Sequence, residues 1–516
     1  MKPVWLVFVP LGLLGAFPYN VRDYGAKGDG VAKDTAAIQA AVDVAARAGG
    51  GVVVLPPGNY LCGTIRLKSN ITLDIASGAR LTASPDPGDF DKHEELPFKP
   101  VDDRETTYFH HALLRGEGVE HVAIQGRGVI DGNSVKRGGP KTVAFKNSSF
   151  LSVRGVTIRN APNYAVSLLG CDNVDIDGIN VVNGFSGGID PDCSRFVRIS
   201  NCYVDTHDDA VCLKSSQALG RPRVTENVTI ANCVLRTSCN HLKMGTESRG
   251  GFRNIAIANC SLLGREGARP ALSGIAVESV DGAGIEGITI TGVIMRDVQA
   301  PIFVRLGNRG RGMAAPTPGF VQNVSINNVV ALGATLASSV TGLSGHPVRH
   351  ITLSDIDLTM EGGGRASTLD VPELPEEYPE PAMFGPLPAY GLYARHVEGL
   401  TLRNVKSRWR SPDARPGAVF DDVRDLELHG FRSDAPPAPQ PLLWFRDVAG
   451  ALLAGSHMSV EVPLLLRVSG ARSRSINVIG NDLRLVKKTL DVQNGADHSA
   501  VALTGNVTSG RIPGID

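Results

Sequence analysis

The chain has 516 residues, and its 52 Lys and Arg balance 52 Asp and Glu. With no net field, the composition excludes charge-driven binding to nucleic acid or an anionic membrane. Glycine is abundant at 59 residues while aromatics are only 5%, which suits tight turns around stacked aliphatic side chains.

Residues 1–16 carry one Lys, an apolar run from Val4 to Leu14 and the small pair Gly15-Ala16. That is the pattern of a secretory signal peptide, with a mature start near Phe17; a buried N-terminal strand is the other reading. The run is short for a bilayer and nothing later reads as transmembrane, so a secreted or periplasmic protein is expected. Residues 19–33 are Gly-rich, and Thr35 to Ala48 has helical spacing, with Ile38, Ala41, Val42 and Ala45 on one face and Gly49-Gly50-Gly51 as its stop. No Gly-Lys-Ser/Thr follows the glycines, which argues against a nucleotide site. A lone amphipathic helix here reads as a lid over open strand edges, within an N-terminal cap spanning residues 17–60.

From Val156 onward one phrase recurs: apolar, x, apolar, x, then Asn, Asp or Gly. It reads Val156-Thr-Ile158-Arg-Asn160, Val197-Arg-Ile199-Ser-Asn201, Val228-Thr-Ile230-Ala-Asn232, Ile255-Ala-Ile257-Ala-Asn259 and Val324-Ser-Ile326-Asn-Asn328, with weaker echoes at Ile351, Leu400 and Leu426. Alternation marks a short strand, and the Asn tolerates left-handed backbone at a turn. A second strand alternates with it, as in Ala165–Leu169, Ala210–Leu213, Gly274–Val277 and Pro301–Val304. A strand repeating every roughly 20 to 35 residues is the mark of a solenoid, whose units bury their apolar faces only by stacking. The expected fold is all-β: a right-handed parallel β-helix forming one domain over residues 17–516, irregular beyond residue 440 where a C-terminal cap is expected. Cys202, Cys233 and Cys260 each follow a turn Asn, which predicts an inward ladder of small thiols; a disulfide between coils is the alternative, and no Cys-x-x-Cys pair suggests zinc. Residues 84–110 and 361–388 break the rhythm with Pro and charge, as loops over a binding face do, or as plain surface decoration.

Stacking matters for chemistry, because equivalent positions in successive coils become neighbours about 4.8 Å apart. Asp190 and Asp192 introduce one second strand, His207-Asp208-Asp209 with Lys214 the next, His241, Lys243 and Glu247 the third, and Glu278 ends the fourth. These should form one acidic wall. Crowded carboxylates repel, so one keeps a proton and another stays ionised, the split that glycosidic cleavage by inversion requires. Asp turns, wall histidines and snorkelling lysines explain the same residues without catalysis.

The phrases Tyr24-Gly-Ala-Lys-Gly-Asp-Gly30, Gly128-Val-Ile-Asp-Gly132, Gly188-Ile-Asp-Pro-Asp192 and Asp208-Asp-Ala-Val-Cys-Leu-Lys-Ser215 together resemble glycoside hydrolase family 28, the polygalacturonases and rhamnogalacturonan hydrolases, over roughly residues 18 to 310. The resemblance implies inverting hydrolysis of a pectic or related acidic polysaccharide, with no cofactor and no metal. It places the general acid on Asp208 and a water-activating carboxylate on Asp209. The family's other water-activating Asp falls on Gly187, its His on Asn240 or His241, and its uronate-gripping Arg-Ile-Lys on Ala276-Val-Glu278. Asp190 or Glu278 is therefore expected to replace the lost carboxylate. Lys243, Lys214 and Arg305, with His241, are expected to hold substrate, and Arg309 is a further possible clamp. The insertions favour an end-cleaving pocket, and a monomer is expected. A polysaccharide lyase and a non-catalytic carbohydrate-binding β-helix are the rival readings.

Overall fold

The computed structural model describes residues 18–509, so the expected signal peptide lies outside the described residues. Parallel strands stack into one continuous spiral, the expected parallel β-helix, with the right-handed crossover that strand twist favours. One coil contains Arg195–Ser200, Tyr203–Thr206 and Val211–Ser215; the next contains Thr225–Ala231, Val234–Thr237 and Asn240–Ser248, paired with them in order. Each coil thus has three strands where the alternation predicted two. The missed one, Tyr203–Thr206, is too short for a period to show. Farther along, the first two strands merge into single bent strands such as Phe252–Gly264.

The turn asparagines behave as expected. Asn160, Asn201, Asn232 and Asn259 have φ of 50°, 58°, 57° and 56°, the left-handed region that Asn enters at little cost. Inside, Val174, Val197, Val228, Ile255, Ile288 and Val324 sit directly above one another as one aliphatic column. Each fully buried aliphatic side chain contributes about 1.5–3 kcal/mol, and a charge at any rung would interrupt the column. Cys202, Cys233 and Cys260 form the predicted inward ladder, and all eight thiols are free. The helix runs from Thr35 to Arg47 and buries Ile38, Ala41, Val42 and Ala45 against the first coils. Asp34 does not cap it; its carboxylate instead accepts from the Lys27 and Gly28 amides at 2.6 and 3.0 Å, tying down the glycine-rich lead-in. Strand pairing stays parallel to Val501–Thr504, so the irregularity beyond residue 440 lies in the connections.

Both insertions fold onto the outer face of the sheet built from the third strands. Phe109 of the first packs with Ala112, Ala144, Leu169 and Cys193. Leu369, Val371, Phe384 and Leu387 of the second pack on Ala276, Phe303, Tyr393 and Val419.

Candidate active site

A polar cleft of about 100 Å³ opens on that sheet between the two insertions. Its floor follows from strand register. Ser167 stands beside Asp190, Asp192 beside Lys214, and Cys212 beside Lys243. Asp208 and Asp209 come from the turn before Val211–Ser215. Hydroxyls of Thr206 and Thr237 donate to the Asp208 carbonyl at 2.7 and 2.5 Å and fix that turn. Asp208 Oδ1 also accepts from the Asp209 amide at 2.9 Å, so the turn role and a cleft role coexist.

Of the residues anticipated for the site, Asp190, Asp208, Asp209, Lys214 and Lys243 line the cleft together. Three do not. His241 is fully buried, with Nδ1 3.0 Å from the Ser273 carbonyl and Nε2 2.9 Å from that of Leu263. Its neighbour Asn240 instead meets Asp209, donating its backbone and side-chain amides to Oδ1 at 3.1 and 2.8 Å. Arg305 is buried beneath the second insertion, donating to the carbonyls of Glu373 and Leu374 at 2.6 and 3.0 Å; it anchors a loop and cannot clamp a sugar. Glu278 is fully buried behind Gly245, and neither of its carboxyl oxygens has a partner. Asp192 is likewise structural, accepting from the amide and hydroxyl of Ser216 at 2.8 and 2.5 Å. Arg309 is committed to Asp281 at 2.6 Å.

The carboxylates have opposite environments. Burial works against Asp209, but the Lys243 ammonium at 3.1 Å and the Asn240 amides at 3.1 and 2.8 Å overcome it and hold its pKa down at about 2. Burial pushes Asp190 well above the usual carboxylate range; Lys214 draws it back, and Asp209 and Asp208 raise it again. Its Oδ2 has no partner. A Cβ on Gly187 would lie 2.4 Å from that oxygen, so the Asp190 carboxyl occupies the space that a side chain at 187 would need. Lys214 Nζ is fully engaged, 3.1 Å from Glu247, 3.0 Å from the Tyr164 hydroxyl and 3.4 Å from Thr106. Asp208, Asp209 and Cys239 bring two oxygens and a sulfur within 4.8 Å of one another. Lys243 and Arg137 already neutralise those carboxylates, leaving little charge for a cation.

The sequence did not point to Asp103, Arg137, Tyr164, Arg311 or Tyr378, all of which also line the cleft. Asp103 and Tyr378 arrive on the two insertions. Arg137 belongs to the polar, Gly-rich loop after Val129–Asp131, and that loop's position at the same corner of the coil was the available signal.

A parallel β-helix with neutral and ionised carboxylates facing one sugar-sized cleft has the layout of a carbohydrate-cleaving enzyme. The profile of glycosyl hydrolases family 28 matches residues 53–377, well over half of the chain, so the protein belongs to that family and is a glycoside hydrolase. Residues 19–83 separately match a profile described as rhamnogalacturonase A/epimerase, pectate lyase-like. A probable polygalacturonase of Vitis vinifera is 25% identical over 372 residues, covering 66% of this chain and 74% of its own. The exo-poly-alpha-D-galacturonosidase of Dickeya chrysanthemi is 23% identical over 424 residues, covering 68% and 69%. Among solved structures, an exopolygalacturonase from Thermotoga maritima superposes with a TM-score of 0.58 at 24% identity, covering 66% of this chain and 86% of that one. The family 28 exopolygalacturonase of Yersinia enterocolitica gives 0.57 at 17%, covering 84% and 78%. At these identities the structural likeness speaks to fold.

Proposed function

We propose that this protein hydrolyses the glycosidic bonds of a pectic polysaccharide or its oligosaccharides from a chain end, by inversion, as an exported monomer. The observation that carries the chemistry is the pairing, in one cleft, of an ionised Asp209 with a neutral Asp190 whose Oδ2 is unpartnered. Asp209 takes the proton of the attacking water, and Asp190 replaces the carboxylate lost at Gly187 and orients that water. Asp208 protonates the leaving oxygen. Asp208 and Asp209 come within 4.8 Å, closer than the roughly 6.5–9.5 Å that separates an inverting acid from its base. Asp190 therefore has to share the work of holding the water. Galacturonate-cleaving relatives support the pectic substrate. End-cleavage is supported by Asp103 and Tyr378, which close the cleft from either insertion. Export is supported by the leader-like residues 1–16.

The test is incubation of defined oligogalacturonides with wild type and Asp209→Asn. Wild type should release new reducing ends of inverted anomeric configuration, from one end of the chain, and the variant should lose at least about a thousandfold in kcat. An unsaturated product, or a fully active variant, would overturn this mechanism.

A further inference from the structure

Within that pectic reading, one group remains to be found: the cation that meets the uronate carboxylate. The family's positions for it fall on Ala276 and Glu278, and Ala276 lies under the second insertion, packed with Phe303, Leu369 and Phe384. No sugar reaches it there. Four cations line the cleft: Arg137, Lys214, Lys243 and Arg311. Lys243 and Lys214 have only 3% and 10% of their side chains exposed and are locked to Asp209 and Glu247. Arg311 spans Glu247 at 3.0 Å and Asp102 at 3.7 Å.

Arg137 differs. Its side chain is 53% exposed, and Glu105 holds one edge of the guanidinium, Nε at 3.1 Å and Nη2 at 2.6 Å. Glu105 is itself fixed by the Ser186 hydroxyl at 2.9 Å. The other edge, Nη1, lies 2.7 Å from Asp208 Oδ2. A fork anchored on one edge, with a single partly exposed carboxylate on the other, is a geometry that can exchange that carboxylate for another. We propose that Arg137 grips the carboxylate of the sugar at the cleavage point, exchanging Asp208 for it.

The exchange links binding to chemistry. Once Arg137 turns to the substrate, Asp208 is free to receive the proton that the buried Asp190 holds. Asp208 passes that proton to the leaving oxygen as the bond from C1 breaks. The oxygen of water bonds to C1, and the proton that the water loses goes to Asp209 and on to Asp190, restoring the starting state. A substrate without a carboxylate leaves Arg137 on Asp208 and reacts more slowly.

Initial rates of wild type, Arg137→Gln and Arg137→Lys on an oligogalacturonide and on its methyl ester test this, with thermal midpoints to confirm folding. Wild type should prefer the acid to the ester; Arg137→Gln should lose about 10- to 100-fold in kcat/KM on the acid and with it most of that preference, and Arg137→Lys should recover part of both. Equal losses on both substrates, or no loss on the acid, would overturn the role of Arg137 alone. A wild type that cleaves neither would remove the pectic reading and Arg137 with it.

Discussion

Glu278 offers a quantitative check on the electrostatics beside the cleft. Burial raises its pKa to about 8 from 4.5; Lys243 opposes this and Asp209 adds to it. Below pH 4.5 the group is neutral in both folded and unfolded chains and costs nothing. Between 4.5 and about 8 the unfolded chain ionises it while the folded chain keeps it neutral, so stability falls as pH rises and then levels off. Each pH unit in that window costs about 1.4 kcal/mol, so the loss reaches about 3 kcal/mol at pH 7 as an upper limit. Glu278→Gln keeps the shape and removes the titration, although its buried amide adds a pH-independent cost of about 1–3 kcal/mol. Equilibrium urea unfolding of both proteins at pH 5 and pH 7 isolates the effect. The variant should gain on wild type by about 2–3 kcal/mol between those two conditions, whatever its absolute stability. A difference that does not change with pH would mean that Glu278 is charged in the fold and paired with Lys243, and the description of the wall would be wrong. The same variant should keep its activity, because Glu278 does not face the cleft.

Gly187→Ala should push the Asp190 carboxyl aside, since the added methyl would sit 2.4 Å from Oδ2; kcat should fall about 10- to 100-fold with the thermal midpoint nearly unchanged, and an unaffected kcat would free Asp190 from the mechanism. Arg305→Ala removes the bonds to the Glu373 and Leu374 carbonyls and the contact with the Phe384 ring at 5.2 Å. Limited proteolysis should then cut within residues 361–388 while the coils resist, and an unchanged digestion pattern would contradict the anchoring role. Of the eight free thiols only Cys239 is not fully buried, so a thiol reagent should label at most that residue before unfolding; rapid labelling of Cys202, Cys233 or Cys260 would refute the inward ladder.

What could be read in the sequence follows from how local each feature is. The aliphatic column, the Asn turns and the capping helix are set by spacings within a few residues, and they stand where the alternation put them. The floor of the cleft was legible for the same reason: Asp190, Asp209, Lys214 and Lys243 hold fixed places in successive coils. His241 shares the outward parity of Lys243, between the inward Leu242 and Met244, but the Ser273 and Leu263 carbonyls of the next coil engage both of its ring nitrogens and cover it. Arg305 and Glu278 do sit on the expected outward rungs, but the second insertion and the Gly245 backbone cover them. No pattern along a strand announces what a distant loop will cover.

That division of labour also shapes the cleft itself. A solenoid wall is uniform, so its polar rungs alone would make an open trough with no preferred end. The second insertion roofs the sheet from Ala276 onward with Leu369, Phe384 and Leu387, closing the side where the family's cations would stand. The first insertion brings Asp103 to the rim and Glu105 to Arg137, which moves the exposed positive edge to the opposite side of the carboxylates. The residues at 276 and 278 are thus the ones that a roof permits, a small apolar side chain under it and a buried carboxyl beside it. Trimming residues 361–388 alone would open the trough yet leave Ala276 and Glu278 there, neither able to hold a uronate.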